Sequence, residues 1–404
     1  MTTNIHELFL RLVRLGLGCA DYSIDLIPQL SVEEWQALEE LANEQGLLGV
    51  MLDGVEKLPR ELRPEKKEIL QSIGQLIQSE QQYAVQEHAA AEMALLLHQH
   101  GIRTYVLKGA VVSECYPRPE HRRSVDMDCF LVNDNLNDNY NYNDNQGSLR
   151  SKSEENHSEN LSTSKDSENS KLSTLNSQLD VWEKGNRVVE EAGFEVARGF
   201  YKNSTFHLPG LTVENHRFIT PFRGNARMKR LERLLQGIII KDAGEDRFEG
   251  TWLYRPPVIV SALFLIEHAY SHFLHEGLTW RHVLDWTMFS RRHREEIDWE
   301  AFDGLVDEYG FRKFYDSYSR LGRFLVGELA DDGLTPADRR MLADVCAQLD
   351  LHESLHGLKA KLQLAGNYWR ARWKYRLFTD MTWLRALAEW VLGAVFDRQP
   401  RLTK

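Results

Sequence analysis

The sequence predicts an α+β protein in which a small mixed sheet lies between N- and C-terminal helical regions. Helical patterns dominate residues 1–100 and again residues 221–404, whereas short β-rich runs cluster between them. Helices and strands that occupy separate stretches of the chain are typical of the α+β class. We therefore expect an N-terminal helical region at 1–100, an α/β core at 101–220 and a C-terminal helical domain at 221–404.

Composition narrows the class of protein. The chain has 404 residues, 42% of them hydrophobic and 27% charged, which is typical of a globular protein with enough apolar side chains for a core. The formal net charge of −11 disfavours a protein that coats nucleic acid. Four scattered cysteines without a CxxC pair indicate neither a disulfide scaffold nor a zinc knuckle. No apolar run approaches the roughly 20 residues of a membrane span, so we expect a cytoplasmic protein without a membrane partner.

The N-terminal third carries helix start and stop signals. Ser31 followed by Glu34 has the spacing of a capping box, and Gly46 stands where such a helix would stop. Helix-forming residues then continue from Lys66 to His100, directly before Gly101. We expect a long helix leading into the first strand.

Short strands follow this helix. "IRTYVLKG" and "VDMDCFLV" are β-rich runs, and "NSTFHLPGLTVENHRFI" reads as two strands joined around Pro209 and Gly210. Before this hairpin, "VWEKGNRVVEEAGFEVARGF" predicts a helix leading to a strand. From about Pro221 the pattern is helical to the end.

A polar segment interrupts the β-rich part of the chain. Residues Asn133 to Gln178 consist almost entirely of Asn, Ser, Asp, Glu and Lys. Such a composition cannot bury enough apolar area to offset the entropy lost on ordering. We therefore interpret 133–178 as a disordered low-complexity insertion within one α/β unit.

Carboxylates inside the β-rich runs are the main functional signal. Asp126 and Asp128 lie on the same face of one strand, because side chains alternate with period two. In the hairpin, the same alternation places Glu214 on one face with Thr212 and His216. Ionised carboxylates are costly to bury unless something pairs with them. Converging carboxylates can hold one or two Mg²⁺ ions, which prefer oxygen ligands and bind substrate phosphates.

Several short motifs carry a family resemblance. They are, in chain order, "LKG" at 107–109, "YPRP" at 116–119, Arg122, "DMDCFLV" at 126–132 and "VENH" at 213–216. In this order the motifs resemble the uncharacterised nucleotidyltransferase family within the DNA polymerase β-like superfamily. The resemblance implies a polymerase β-like core with its small mixed sheet.

The resemblance also implies roles for individual residues. Asp126 and Asp128 would be ligands of the catalytic Mg²⁺ ions, with Mn²⁺ as a substitute, and Glu214 would be the third carboxylate and metal ligand, placed to orient or deprotonate the acceptor hydroxyl. The expected nucleotide-binding residues are Lys108, Gly109, Arg122 and His216.

The implied reaction moves an NMP group from an NTP to an acceptor hydroxyl or phosphate and releases pyrophosphate. ATP is the expected donor, and a small molecule or protein is favoured over nucleic acid as acceptor. An alternative is a catalytically degenerate nucleotide-binding or scaffold protein, which would be consistent with Ala110 directly after the turn glycine. A nucleic-acid-tailing enzyme would need a continuous basic surface that this acidic chain does not indicate.

Simpler interpretations stand beside these roles. Asp126 and Asp128 could cap a turn or pair with arginines, and Lys108 and Arg122 could be the groups that neutralise them. Glu214 alone would be an ordinary solvated strand residue. His216 could pack, or hydrogen-bond to Glu214, without touching substrate.

Two further clusters remain open at this point. His268, His272 and His275 share one helix face, but that helix lacks the Glu of HExxH, so satisfied histidines are favoured over a zinc site. The segment "RGNARMKRLERL", residues 223–234, is basic and reads as a solvated helix face or as a rim for an anionic acceptor.

Overall fold

A computed structural model describes residues 5–19, 27–134, 180–198, 201–222, 225–347 and 369–388. The predicted insertion at 133–178 lies outside these residues except for Asn133 and Asp134. At these two positions the expectation of disorder was wrong, because Asn133 ends a strand and Asp134 lies 2.9 Å from Nε of Arg103. The helices, numbered in chain order, are α1 (Ile5–Gly16), α2 (Val32–Glu44), α3 (Leu48–Glu56), α4 (Lys66–Gln99), α5 (Ala110–Ser113), α6 (180–191), α7 (Ala226–Lys241), α8 (Val258–His275), α9 (Trp280–Arg292), α10 (Trp299–Glu308), α11 (Arg312–Leu325), α12 (Pro336–Cys346) and α13 (Arg372–Phe378). The strands are β1 (Ile102–Val106), β2 (Asp126–Asn133), β3 (Val196–Ala197), β4 (Asn203–Leu208), β5 (Leu211–His216) and β6 (Leu253–Tyr254).

The N-terminal helices follow the signals in the sequence. Ser31 caps α2, because its Oγ accepts the amide of Glu34 at 3.2 Å and Oε2 of Glu34 accepts the amide of Ser31 at 2.9 Å. Gly46, two residues beyond α2, has φ +68°, a conformation that a residue with a side chain rarely adopts. The predicted capping box and the long helix α4 are confirmed.

Six strands form one mixed sheet in the order β3-β4-β5-β2-β1-β6. β2 lies at its centre, antiparallel to β1 and parallel to β5, and β4 and β5 form the antiparallel hairpin predicted around Gly210. The α+β class with a small mixed sheet is therefore confirmed.

One expectation about the C-terminal region was wrong. Residues after Pro221 are not helical throughout, because Leu253 and Tyr254 form β6, which pairs in parallel with β1. Two residues are too few to show a strand period, while Gly250 at φ +70° and the two prolines after Tyr254 prevent a helix there. The domain boundaries themselves stay predictions.

The apolar helix α8 passes through the core. It is the one helix among the described residues that is long and apolar enough to cross a membrane, and 61% of it is buried inside the protein. Burial of this extent is typical of a core helix, which must be apolar on most of its faces.

The two helical regions meet through polar contacts as well as apolar ones. Arg14 of α1 is nearly buried, and its Nε donates to the carbonyl of Leu325, the last residue of α11, at 2.8 Å. A second nitrogen of Arg14 donates to the carbonyl of Phe324 at 2.5 Å. An arginine that satisfies the free carbonyls at a helix C-terminus stabilises that end. All four cysteines are free, as expected.

Candidate functional site

The parallel pairing of β2 and β5 builds the site. In this register Asp126 lies opposite Thr212, Asp128 opposite Glu214, and Phe130 opposite His216. Because the two strands run in the same direction, the alternating faces coincide, and the two Asp residues lie on the same face as Glu214 and His216. Asn215 points to the other face, where its Nδ2 donates to Asn186 of α6 at 2.9 Å.

Three side chains converge on this face. Nε2 of His216 lies 2.8 Å from Oδ1 of Asp128 and 3.8 Å from Oε2 of Glu214. Nδ1 of His216 lies 3.2 Å from the carbonyl oxygen of Phe218, so both ring nitrogens face oxygen acceptors. On the other side, Nδ2 of Asn203 donates to Oε2 of Glu214 at 2.5 Å.

The two carboxylates of the cluster have different electrostatic environments. Burial opposes ionisation of Asp128, but the hydrogen bond and charge of His216, with the charges of Lys108 and Lys202, hold its pKa below the usual range. Burial and the adjacent charge of Asp128 raise the pKa of Glu214, whose side chain is 34% exposed. Asp128 is thus the more strongly compensated carboxylate of the pair. The charges of His216 and Lys202 also act on Glu214, but they do not outweigh its burial and the charge of Asp128.

Asp126 lies beside the cluster. The ligand atoms of Asp128, Glu214 and His216 lie within 4.8 Å of one another. The carboxylate of Asp126 is not part of this group. No described residue forms a hydrogen bond or ion pair with the Asp126 side chain, although its charge acts on Glu214. Asp126 lines a cavity of about 330 Å³ together with Gly109 and Ser124.

The Lys108–Gly109 turn is held against β2. The amide of Leu107 donates to the carbonyl of Asp128 at 2.9 Å, which places Lys108 near the cluster. Gly109 has φ +77°, so this turn requires glycine for its backbone conformation. Nζ of Lys108 lies 2.7 Å from Nε2 of His268. Burial lowers the pKa of Lys108, against the opposing charge of Asp128.

Arg122 lies in a buried ion pair. Its Nε and a terminal nitrogen donate to the two carboxylate oxygens of Asp285 on α9, at 2.7 and 2.8 Å. The hydroxyl of Tyr116 donates to the same carboxylate at 2.9 Å. Arg122 is only 1% exposed, and its guanidinium nitrogens already donate to Asp285. In this structure Arg122 therefore connects the sheet region to α9. A nucleotide contact by Arg122 stays a prediction.

The histidine face of α8 is internally satisfied. Nδ1 of His272 lies 2.8 Å from Glu276, and Nδ1 of His275 lies 2.8 Å from the carbonyl oxygen of Ser271. Within the part of the chain that the structure describes, the Asp128 cluster is the one group of three or more metal-ligating side chains at that spacing. The geometry favours satisfied histidines over a zinc site, as the sequence did.

The basic segment is described from Asn225 onward, so Arg223 lies outside the described residues. Helix α7 buries Met228, Leu231 and Leu235 against the core. Arg227 is exposed and lies 3.7 Å from Asp380. Whether the basic face of α7 binds anything stays a prediction.

Sequence motifs missed two residues next to the cluster. Asn203 of β4 pairs in register with His216, and its amide nitrogen is the donor to Glu214. Lys202 precedes β4, and its charge acts on both Asp128 and Glu214. A Lys-Asn pair at the start of a strand matches no known site motif. Only the pairing of β4 with β5 could show that Lys202 and Asn203 lie next to the cluster.

The donor atoms fit a divalent cation. Asp128 and Glu214 offer oxygen atoms, Asp126 lies on the same strand face, and burial and neighbouring carboxylates raise the pKa of Glu214. Oxygen ligands suit Mg²⁺, and the imidazole of His216 is also compatible with Mn²⁺.

A comparison with protein-family models identifies one match. The family is described as an uncharacterised nucleotidyltransferase, and its model matches residues 31–169 and 175–326, which is most of the chain and includes every residue of the cluster. No curated protein and no solved structure matched the chain.

Proposed function

Because the chain belongs to the uncharacterised nucleotidyltransferase family, we propose that it is an enzyme that moves an NMP group from an NTP to an acceptor. The observation that carries this proposal is the placement of Asp128 and Glu214 opposite each other on parallel strands, with His216 between their carboxylates. A site with no function has no reason to hold two carboxylates together at the cost of raising the pKa of one.

Asp126, Asp128 and Glu214 would hold the divalent ions, with Mg²⁺ as the expected metal and Mn²⁺ as a substitute. When bound, such ions neutralise the phosphate oxygens and stabilise the attacking and leaving oxygens of the transfer. His216 orients Asp128 through its 2.8 Å contact. The same contact partly compensates the negative charge of Asp128 when no cation is bound.

Glu214 is the candidate base. Its raised pKa and partial exposure suit a group that accepts the proton of an acceptor hydroxyl. In the balanced reaction the acceptor oxygen forms a bond to the α-phosphorus of the NTP. The bond from that phosphorus to the pyrophosphate oxygen breaks, Glu214 takes the proton, and pyrophosphate leaves.

Positive charge for the phosphates is available from two lysines. Lys108 follows β1, next to the Gly109 turn, and Lys202 precedes β4, so they approach the cluster from two sides. The ammonium of Lys202 forms no hydrogen bond or ion pair with the described residues, which leaves it available to a phosphate oxygen. Lysine serves in phosphate sites as a point charge.

The donor we propose is ATP, and the acceptor is a small molecule or a protein. The net charge of −11 continues to disfavour nucleic acid. We also propose a cytoplasmic location without a membrane partner.

A degenerate nucleotide-binding or scaffold protein is the alternative. Ala110 after the turn glycine favours it, because Ala offers no hydroxyl to a phosphate. The two functions differ in one measurable respect: a scaffold binds nucleotide without releasing pyrophosphate.

The test uses each of the four NTPs labelled at the α-phosphate, with Mg²⁺ and a cell lysate as the source of acceptor. Transfer predicts a labelled product from wild-type protein, together with released pyrophosphate, and neither from Asp126→Asn or Asp128→Asn. Asp303→Asn, which changes an exposed carboxylate of α10 outside the cluster, serves as the matched control. Nucleotide binding with no labelled product and no pyrophosphate would establish the scaffold alternative instead.

A further inference from the structure

A second cavity lies on the C-terminal side of the sheet. It has a volume of about 560 Å³, within the range of small-molecule sites. Helices α7, α8 and α13 contribute to its lining. The aromatic residues of the lining are Tyr201, Tyr270, Tyr309, Phe311 and Tyr375.

Glu267 of α8 places a carboxylate in this cavity. The residue is 2% exposed, and its Oε2 has no hydrogen-bond partner among the described residues. Glu232 of α7, equally buried, provides the contrast. It accepts the amides of Ile219 at 3.0 Å and Thr220 at 2.7 Å. A buried ionised carboxylate without donors is costly, so a donor that enters the cavity would stabilise the charged form of Glu267.

The other charged groups of the lining do not supply that donor. Asp380 is exposed and pairs with Lys313 at 3.0 Å. Arg227 and Arg385 are exposed side chains, whereas Glu267 is buried. Burial lowers the pKa of His275, which favours its neutral ring. The cavity therefore combines one buried anion with a set of aromatic rings.

We propose that this cavity binds an organic ammonium compound. An N–H of the ammonium donates to Glu267 and supplies its counter-charge, while the aromatic rings face the cation and its carbon skeleton. Aromatic faces attract cations through their quadrupole, and the attraction is larger away from water. A primary or secondary ammonium fits better than a quaternary one, because only the former has a hydrogen to donate to the carboxylate of Glu267.

The bound amine is the acceptor of the transfer, an assignment that rests on the proposed function. Tyr201 of the cavity is the neighbour of Lys202, and the charge of Lys202 acts on Asp128, Glu214 and Glu267 alike. The cavity is thus close to the carboxylate cluster. The acceptor would be an amine that also carries the hydroxyl or phosphate that receives the nucleotide.

Calorimetric titration at about pH 8 tests the site directly. The probes are phenethylamine, its neutral counterpart 2-phenylethanol, and the quaternary trimethyl derivative of phenethylamine. Wild-type protein should bind the primary amine at least ~10-fold more tightly than either control compound. Glu267→Gln should lose ~10- to 100-fold in affinity for the amine, whereas Asp380→Asn, which removes the exposed carboxylate of the same lining, should retain it.

The thermal midpoint of each variant shows whether a loss of amine binding is due to unfolding. Glu267→Gln removes an unpaired charge, so its thermal midpoint should equal or exceed that of wild type. No binding of the amine by wild type, equal affinity for 2-phenylethanol, or unchanged affinity in Glu267→Gln would each overturn the proposed site.

The acceptor assignment has its own readout in the labelled-NTP assay. Glu267→Gln should raise the KM for the lysate acceptor and leave MgATP binding unchanged. Unchanged KM together with lost amine binding would mean that the cavity serves another purpose. If wild type makes no labelled product at all, the proposed function fails, and the calorimetric result still decides whether the cavity binds an ammonium compound.

Discussion

Asp128 and His216, 88 residues apart in the chain, form a buried contact of 2.8 Å between neighbouring parallel strands. This pairing gives the two aspartates of β2 different parts in stability, although both are proposed metal ligands. Asp128 has a partner in the folded protein, whereas Asp126 has none among the described residues.

We therefore expect Asp128→Asn to lower the free energy of unfolding by about 1–3 kcal/mol at neutral pH, and Asp126→Asn to leave it nearly unchanged. Because the folded pKa of Asp128 is lowered, its contribution is present above the pKa of an unfolded Asp and is lost as pH falls through the lower folded value. Urea denaturation at several pH values without metal measures this. Equal midpoints for the two variants would show that the His216 contact adds nothing to stability.

Glu214→Gln should separate binding from transfer. The substitution keeps size and shape but removes the basic oxygen. If Asp126 and Asp128 hold the metal-bound triphosphate, MgATP should bind nearly as well while transfer falls by about 10²- to 10⁴-fold. The raised pKa of Glu214 also predicts that wild-type activity falls with pH below that value, and the variant should lack this acidic limb. Calorimetry and a pH–rate profile give the two readouts. Loss of binding equal to that in Asp126→Asn would make Glu214 chiefly a metal ligand.

Arg122 and Asp285 should behave as a structural pair. Replacing either partner leaves the other charge buried and unpaired, so Arg122→Gln and Asp285→Asn should each lower the free energy of unfolding by about 3–5 kcal/mol. The exposed Arg227→Gln is a matched control, and its loss should be small. A folded Arg122→Gln that loses MgATP affinity with unchanged stability would support the nucleotide contact predicted from the sequence.

Deletion of 135–178, which spares Asn133 of β2 and the ion pair between Asp134 and Arg103, should preserve fold and activity when a short flexible linker joins the ends. Its composition indicates little burial, and the entropy of loop closure varies slowly with loop length. Circular dichroism, thermal melting and the transfer assay check this. Insoluble protein after the deletion would mean that the segment contributes to the folded core.

The contribution of two buried glutamates to stability should decrease as pH rises from about 5 to 8. Burial raises the pKa values of Glu232 and Glu267 to about 7, so each group favours folding while it is protonated. That contribution is complete below the pKa of an unfolded Glu and is lost as pH rises through 7, with a size on the order of 3 kcal/mol for each group. Glu267→Gln should remove part of this dependence in denaturant titrations. An unchanged pH slope in the variant would show that Glu267 does not titrate as described.

The sequence predicted those parts of the fold that depend on local patterns. The Ser31–Glu34 box, helix α4 and the hairpin at Gly210 each have a signal within a few residues. It also placed Asp128 with Asp126 on one face of their strand, and Glu214 with His216 on one face of another, because alternation is a local property. The parallel register that brings the two faces together comes from the structure.

What escaped prediction depends on contacts between distant residues. No local pattern around Arg122 predicts its ion pair with Asp285, which is 163 residues away. Likewise, no local pattern around Asn203 predicts that its amide donates to Glu214. The strand β6 is only two residues long, and it is defined by its parallel pairing with the edge of β1. The sequence analysis did not identify Glu267, because it is one charge in an apolar segment. Only the packed structure shows that no described donor reaches its Oε2.

The contact between Arg14 and the carbonyl of Leu325 bears on how the chain folds during synthesis. The two residues are 311 positions apart, so the partner of Arg14 is made on the order of tens of seconds after it, at ordinary rates of translation. During that interval α1 can pack on α3 but cannot join α11. The nascent N-terminal region therefore keeps an incomplete surface until most of the protein has left the ribosome.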